Sequence, residues 1–354
     1  MKRRVIHCGT GNTGKAALKG ILHHPDLELV GQYVWSPDKV GVDAGDICGE
    51  GPTGIKATDN LEALLALDAD CLSFFGDAIG RADACYAMCA KFLERGTNVA
   101  SFSGFELAHP PSAPARFRDP VEAACRKGNS SYFFSGIDPG WATTDLAIAA
   151  LASADRVDCV RVLELGWWGN YTAEYVCREF FGFGKPPGYQ PILITGGFMQ
   201  TSWEPTLRHI ADVLGVEIDG WETVYETDCL DHDIETGFGT VEAGTAVAVR
   251  FELRAMAGGQ PIAICEHVDA VGHGAGKDWK WPYGPFGCVH RIEIEGDPML
   301  SIEVGSPTTG PSAGLRCAMP VINAIPALCE APPGILGPLD LPRYWTRNVR
   351  PIKK

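Results

Sequence analysis

The segment Val5-Ile6-His7-Cys8-Gly9-Thr10-Gly11-Asn12-Thr13-Gly14 decides how the rest of the chain is read. Val5 to Cys8 has the character of a buried strand, and the glycines that follow have the G-x-G-x-x-G spacing. The spacing alone is a weak signal. Here it leaves a strand and enters a helical pattern, Lys15 to His24, that Pro25 stops. In that setting each glycine has a reason: a tight turn, close backbone approach to a pyrophosphate, and tight helix-on-strand packing. The phosphates would lie on the helix N-terminus, where unpaired N–H groups favour negative charge. Gly9, Thr10, Gly11, Asn12, Thr13 and Gly14 are therefore expected to form a dinucleotide-binding loop.

Outward from this loop, apolar runs alternate with helical patterns, as βαβ units around a parallel sheet require. Leu27 to Val34, Cys71 to Phe75, Asn98 to Phe102 and Tyr132 to Phe134 read as strands. Arg81 to Arg95, closed by Gly96, and Val121 to Lys127 read as helices; Thr58-Asp59-Asn60 with Glu62 resembles a capping box ahead of Leu61 to Leu67. The expected fold class is α/β, with a Rossmann-type doubly wound parallel sheet over residues 1–140, completed by 311–354. After about Trp141 the pattern changes. Thr245 to Met256 and Pro261 to Val271 flank Gly258-Gly259, and Val289 to Glu295 and Met299 to Val304 flank Gly296-Asp297-Pro298. Both pairs predict antiparallel hairpins. Residues 141–310 are accordingly expected to form an α+β domain with a largely antiparallel open sheet, for substrate binding and dimerisation. Pro110 to Pro120 and Pro186 to Pro191 read as loops.

The composition, 45% hydrophobic and 21% charged over 354 residues, is that of a soluble globular protein with a sizeable core. A formal net charge of −14 with no basic block argues against nucleic acid and anionic membrane surfaces. The apolar run after the opening Met-Lys-Arg-Arg ends within four residues, too short for a signal peptide, and the expected compartment is the cytoplasm. Thirteen cysteines, an odd number without any C-x-x-C, predict reduced and mostly buried thiols. Cys85 and Cys89, one turn apart, are read as fillers of a helix face. Asp231-His232-Asp233 is read as an acidic loop, and no metal is expected.

The end of the second strand selects the dinucleotide. It reads Tyr33-Val34-Trp35-Ser36-Pro37-Asp38-Lys39, with no carboxylate at the strand end where an NAD site usually has one. Ser36 and Lys39 are donors suited to a 2′-phosphate, so NADP is favoured, while nearby Asp38 keeps NAD in play. Glu106 is the candidate for chemistry. It stands between Phe105 and Leu107 at the C-terminal end of a parallel strand, the edge on which open α/β sheets bind ligands. His109, three residues on, reads as a solvated loop histidine.

Four stretches carry a resemblance: SPDKVGVDAG (Ser36 to Gly45), GFELAHP (Gly104 to Pro110), GIDPGW (Gly136 to Trp141) and NAIPALCEAPPGI (Asn323 to Ile335). With these the chain resembles the native amine dehydrogenases, relatives of 2,4-diaminopentanoate dehydrogenase in the wider dihydrodipicolinate reductase-like group. The resemblance implies a nicotinamide-dependent homodimer that interconverts an amine with a small aldehyde or ketone plus ammonia. It places Glu106 beside the nicotinamide, puts Trp141, Tyr171 and Met199 at the substrate pocket, and adds Asn323 to the cofactor-binding set. Asp138 stands where the pattern usually carries Asn. The His-His pair and Ser-Gly-Thr loop of dihydrodipicolinate reductases are missing between Cys159 and Val304, so a dicarboxylate substrate lacks its expected cationic receivers.

Amine oxidation needs a neutral nitrogen, and a carboxylate beside it can take the ammonium proton, stabilise the iminium charge and then deprotonate the attacking water. Two alternatives are carried. An NADP-dependent imine reductase or amino-acid dehydrogenase requires, for an amino-acid substrate, Arg178 or Lys185 as receiver of the carboxylate. A non-catalytic NADP-binding redox sensor requires the dinucleotide site and no proton-handling group.

Overall fold

The computed structural model describes residues 1–78, 80–285, 287–306 and 311–349. The chain separates into two units, one made of Met1–Trp141 with the described part of Gly310–Lys354, the other of the described part of Ala142–Thr309.

In the first unit, strands β1 (Arg3–Cys8), β2 (Leu27–Tyr33), β3 (Ala57–Thr58), β4 (Cys71–Phe74), β5 (Asn98–Ser101) and β6 (Ser131–Phe134) alternate with helices α1 (Asn12–His23), α2 (Ala44–Cys48), α3 (Leu61–Leu65), α4 (Ala82–Leu93) and α5 (Ala115–Gly128). In the second, α6 (Leu146–Leu151) and β7 (Arg156–Trp167) precede α7 (Ile192–Thr195) and α8 (Phe198–Leu214), followed by β8 (Gly220–Cys229), β9 (Ile234–Thr236), β10 (Gly239–Val241), β11 (Ala246–Ala257), β12 (Gln260–Ala270), β13 (Cys288–Asp297) and β14 (Leu300–Gly305). The chain then returns to the first unit with α9 (Pro311–Leu328) and β15 (Gly334–Leu336).

The first sheet is wholly parallel, in the order β15-β6-β5-β4-β1-β2-β3. Its strands are short and apolar on both faces, as a sheet covered on both sides must be. Val5, Cys71, Ala100 and Phe133 point to one face, under Leu18 and Ile21 of α1 and Val321, Ile322 and Ile325 of α9. Ile6, Leu72, Val99 and Tyr132 point to the other, under Cys89 and Phe92 of α4 and Val121 and Cys125 of α5. The sheet is doubly wound, as its sequence predicts. Cys85 and Cys89 are buried on α4, and burial pushes both thiols up.

Two local expectations are corrected. Residues 110–120 are not one loop: a 3₁₀ turn, Pro110–Ser112, leads into α5, which already begins at Ala115 and carries Pro120 inside it. The burial of Phe117, Val121, Ala124 and Cys125 on one helical face outweighs the lost backbone donor of Pro120. The cap of α3 is Asn60 alone, whose side chain accepts from the Ala63 amide at 3.1 Å, while Thr58 belongs to β3.

The second sheet has the order β14-β13-β7-β12-β11-β8, antiparallel at every pair except β7 with β12. Both predicted hairpins are present, β11 with β12 and β13 with β14. One face carries Val160, Val162, Phe251 and Ile292 under Trp203, Leu207 and Ile210 of α8. The opposite face is mixed. Leu163, Leu165, Val268 and Val289 pack under Trp279 and Trp281, and an ionic ladder runs beside them. Arg161 reaches both Glu252 and Glu266 at 2.6 Å, and Arg250 reaches Glu266 at 2.6 Å. Burial pushes the Glu252 carboxyl up, but Arg161 and Arg250 prevail and hold it below the usual carboxylate range.

Candidate active site

The glycine loop meets the steric demands of its spacing. Gly9 has φ +113°, and a Cβ there would come within 2.3 Å of the Phe75 carbonyl oxygen. A Cβ on Gly14 would lie 2.6 Å from the Gly9 carbonyl oxygen, so helix and strand close on each other at that point. A Cβ on Gly11 would meet nothing within 4 Å, so the middle glycine faces open space. Gly11 is the N-cap of α1 and makes no side-chain capping bond, and the first turn holds no acidic residue. The exposed amides are thus left for an anion.

The segment after β2 folds back to this loop. Pro37–Lys39 form a 3₁₀ turn behind Ser36, and Lys39 Nζ donates to Thr10 Oγ1 at 2.9 Å. A cation is thereby set beside the phosphate loop, while Asp38 points to solvent. The sequence reading missed Trp35. Its indole is 41% exposed, meets Tyr33 and Phe74 edge-on at 5.1 and 6.3 Å, and carries the Arg81 guanidinium 5.9 Å from its centroid. Asn323 lies on α9, and its Oδ1 is buried without a hydrogen-bond partner among the described residues. A leftover buried acceptor of this kind is costly unless a ligand meets it.

Glu106 lies five residues beyond the end of β5, in a 3₁₀ turn, Phe105–Leu107, and is half-buried. Tyr86 of α4 donates to Glu106 Oε2 at 3.0 Å and to the Gly104 carbonyl at 2.8 Å, so one phenolic hydrogen is shared between two acceptors. Burial, with lesser contributions from Tyr132 and Glu106, pushes the Tyr86 phenol far above its ordinary range and keeps it a donor. Gly104 makes the arrangement possible, since its φ is +90° and a Cβ would lie 2.4 Å from the Tyr86 oxygen. Among the described residues no hydrogen bond reaches Oε1 of Glu106. His109 is corrected: it is buried, and its Nδ1 accepts from the Ser112 hydroxyl at 2.7 Å and amide at 3.3 Å, capping the next turn.

No protein-family model matches the chain. An amine dehydrogenase of Streptomyces virginiae is 33% identical over 341 residues, 94% of each chain. The chain belongs to the amine dehydrogenase family. It is thereby an oxidoreductase of the dehydrogenase kind. A 4-hydroxy-tetrahydrodipicolinate reductase of Synechococcus elongatus is 38% identical over 63 residues, 18% of this chain and 23% of that one. Among solved structures, the amine dehydrogenase of Mycobacterium smegmatis aligns over 98% of both chains with a TM-score of 0.73 at 20% identity, and so shares the fold.

In this family member the expected pocket residues fall in different surroundings. Trp141 ends the first unit, 36% exposed, its amide donating to the Gly136 carbonyl at 2.8 Å. Tyr171, in the second unit, is 44% exposed and meets Trp168 edge-on at 5.0 Å; Met199 is 1% exposed and packs into the core around α8. Neither lines the cavity of about 610 Å³ that the second unit forms beside Trp167, His273, Lys277 and Trp281. Asp231 and His232 pair at 2.9 Å on an exposed loop. The two cations on which an amino-acid substrate would depend are engaged. Arg178 bonds Glu174 at 3.1 Å and the Thr240 carbonyl at 2.9 Å, and Lys185 bonds Glu179 at 2.6 Å. Among the described residues no helix is long and apolar enough to cross a membrane.

Proposed function

We propose that the chain is an NAD(P)-dependent amine dehydrogenase, favouring NADP, that converts a small aldehyde or ketone and ammonia to an amine and runs the reverse deamination. The observation that carries this reading is Glu106, held by Tyr86 at the ligand-binding edge of a sheet whose first loop is built for a dinucleotide. Gly9 to Gly14 would hold the pyrophosphate, Ser36 and Lys39 the 2′-phosphate, Trp35 would lie against the adenine, and Asn323 would lend its spare acceptor. When bound, the nicotinamide supplies hydride to carbon or takes it away.

The chain's own residues manage protons and charge. Tyr86 fixes Oε2 of Glu106, and Oε1 takes a proton from the substrate ammonium, giving a nitrogen with a lone pair. Once that proton has passed to solvent, the carboxylate faces the positive iminium and stabilises it, then deprotonates the water that attacks carbon. Reductive amination uses the same group in reverse. Trp141, at the end of the first unit, would bound the substrate. The engagement of Arg178 and Lys185 by carboxylates favours simple amines over amino acids. We place the protein in the cytoplasm as a homodimer, joined through the second unit.

The test is a panel of small aldehydes and ketones incubated with ammonia and NADPH, followed by absorbance, on the wild type and on Glu106→Gln. Gln keeps shape and hydrogen bonding but removes charge and proton transfer. The variant should bind NADPH as the wild type does and lose at least ~100-fold in kcat. Retained turnover in a folded, NADPH-binding variant would exclude Glu106 from the chemistry. A wild type that binds NADPH and reduces nothing would favour the redox sensor.

A further inference from the structure

The loop glycines have a support outside the G-x-G-x-x-G spacing. His7 lies in β1, fully buried, two residues before Gly9. Its Nε2 stands 2.8 Å from the Gly9 carbonyl oxygen, an atom that only accepts, so Nε2 carries the hydrogen and donates. Nδ1 is then the acceptor, and it takes the hydroxyl hydrogen of Ser73 at 3.1 Å. Ser73 is the register partner of His7 on β4 and is itself buried. The ring packs against Phe75, with centroids 5.6 Å apart. The Gly9 carbonyl is therefore held on one side by His7 and approached on the other by Gly14 of α1, where a Cβ would come within 2.6 Å. Burial, opposed by the hydrogen bonds to the backbone of Gly9 and Gly14, lowers the pKa of His7 to about 4, which keeps one neutral tautomer in place at ordinary pH.

We propose that His7 is a positioning residue for the dinucleotide: through Ser73 and the Gly9 carbonyl it sets the turn that presents the amides of the α1 N-terminus to the cofactor pyrophosphate. This rests on the cofactor reading above. His7 touches no cofactor atom itself. A leucine in its place fills a similar space with neither donor nor acceptor, and leaves the Gly9 carbonyl and the Ser73 hydroxyl without their partner. A glutamine can replace both bonds, its amide nitrogen donating to Gly9 and its oxygen accepting from Ser73.

Equilibrium titration with NADPH, alongside urea denaturation, tests the proposal on wild type, His7→Leu, His7→Gln and Ser73→Ala. His7→Leu should bind NADPH roughly tenfold more weakly, with KM for NADPH raised and kcat held, and His7→Gln should return to within about threefold of wild type. If His7→Leu does not fold, Ser73→Ala decides: weaker binding by a few fold supports the assignment, and unchanged affinity overturns it. A His7→Leu chain that is less stable yet binds NADPH as tightly as wild type shows a packing role only; the proposal then falls while the cofactor reading stands. A wild type that binds neither NADPH nor NADH overturns both.

Discussion

A Tyr86→Phe substitution deletes one oxygen and unties two acceptors, the Gly104 carbonyl and Glu106 Oε2. The ring stays in its core place, so the fold is retained, but the carboxylate loses its fixed orientation. A misplacement of about 1 Å in a catalytic group can cost ~100-fold; turnover should fall by roughly 10- to 100-fold with NADPH affinity unchanged, as steady-state rates and a cofactor titration on the same preparation would show. On the proposed cofactor reading, Lys39 belongs to the opposite kind of residue, one that acts on binding alone. Its removal in Lys39→Ala should weaken NADPH by about 1–3 kcal/mol and NADH by much less, since only NADPH brings the 2′-phosphate to it; parallel isotherms with both cofactors give the difference. The place of Glu106, past the end of a parallel strand, is legible in the sequence because the apolar run Asn98 to Phe102 marks that strand. Tyr86 is not legible: it stands twenty residues earlier on another element, and it reaches Glu106 only because Gly104 has no Cβ. The burial of His109 is hidden for a related reason, since a ring used as a capping acceptor looks, in sequence, like any loop histidine.

At the scale of elements, the segment between β2 and β3 shows how one side chain can organise a stretch with almost no regular structure. Asp43 caps α2 by accepting from the Gly45 amide at 2.9 Å, and it also accepts from the Thr53 amide at 2.8 Å, the Thr53 hydroxyl at 2.9 Å and the Gly54 amide at 2.9 Å. The Thr53 amide first, and then the other donors, overcome burial and hold the carboxyl at about 2. Its contribution to stability is therefore complete above pH 4 and is lost as the pH falls towards 2. Asp43→Asn should lower the melting temperature at neutral pH and flatten its decline between pH 4 and 2, which a series of melts would record. The long hairpins are readable because Gly258-Gly259 and Gly296-Asp297-Pro298 mark their turns. The element that holds the second sheet together, β7, went unread: its alternation of Arg161, Leu163 and Leu165 with Val160 and Val162 makes sense only once both faces are seen to be covered. The start of α5 was hidden by Pro114 and Pro120, which outweighed a clear helical stripe.

At the scale of the whole molecule, the shift from βα alternation to hairpins near Trp141 is visible in the sequence, while the packing of α9 beside α1 comes from contacts between residues some three hundred positions apart. Ile322, fully buried there, should cost about 2–5 kcal/mol on conversion to Ala, and the loss should fall on the first unit, the one proposed to take the dinucleotide. NADPH at a hundred times its Kd would return about 2.7 kcal/mol, so melts with and without the cofactor should separate the variant from one damaged in the second unit. The same return of the chain also bears on how the protein is made. A ribosome delivers Ala17, Leu18 and Ile21 early, but Val321, Ile322 and Ile325, which cover them, come only after the whole second unit has been translated. At roughly 5–20 residues per second the nascent sheet waits on the order of ten to thirty seconds with one apolar face open, which makes that face a place for a chaperone to hold the growing chain.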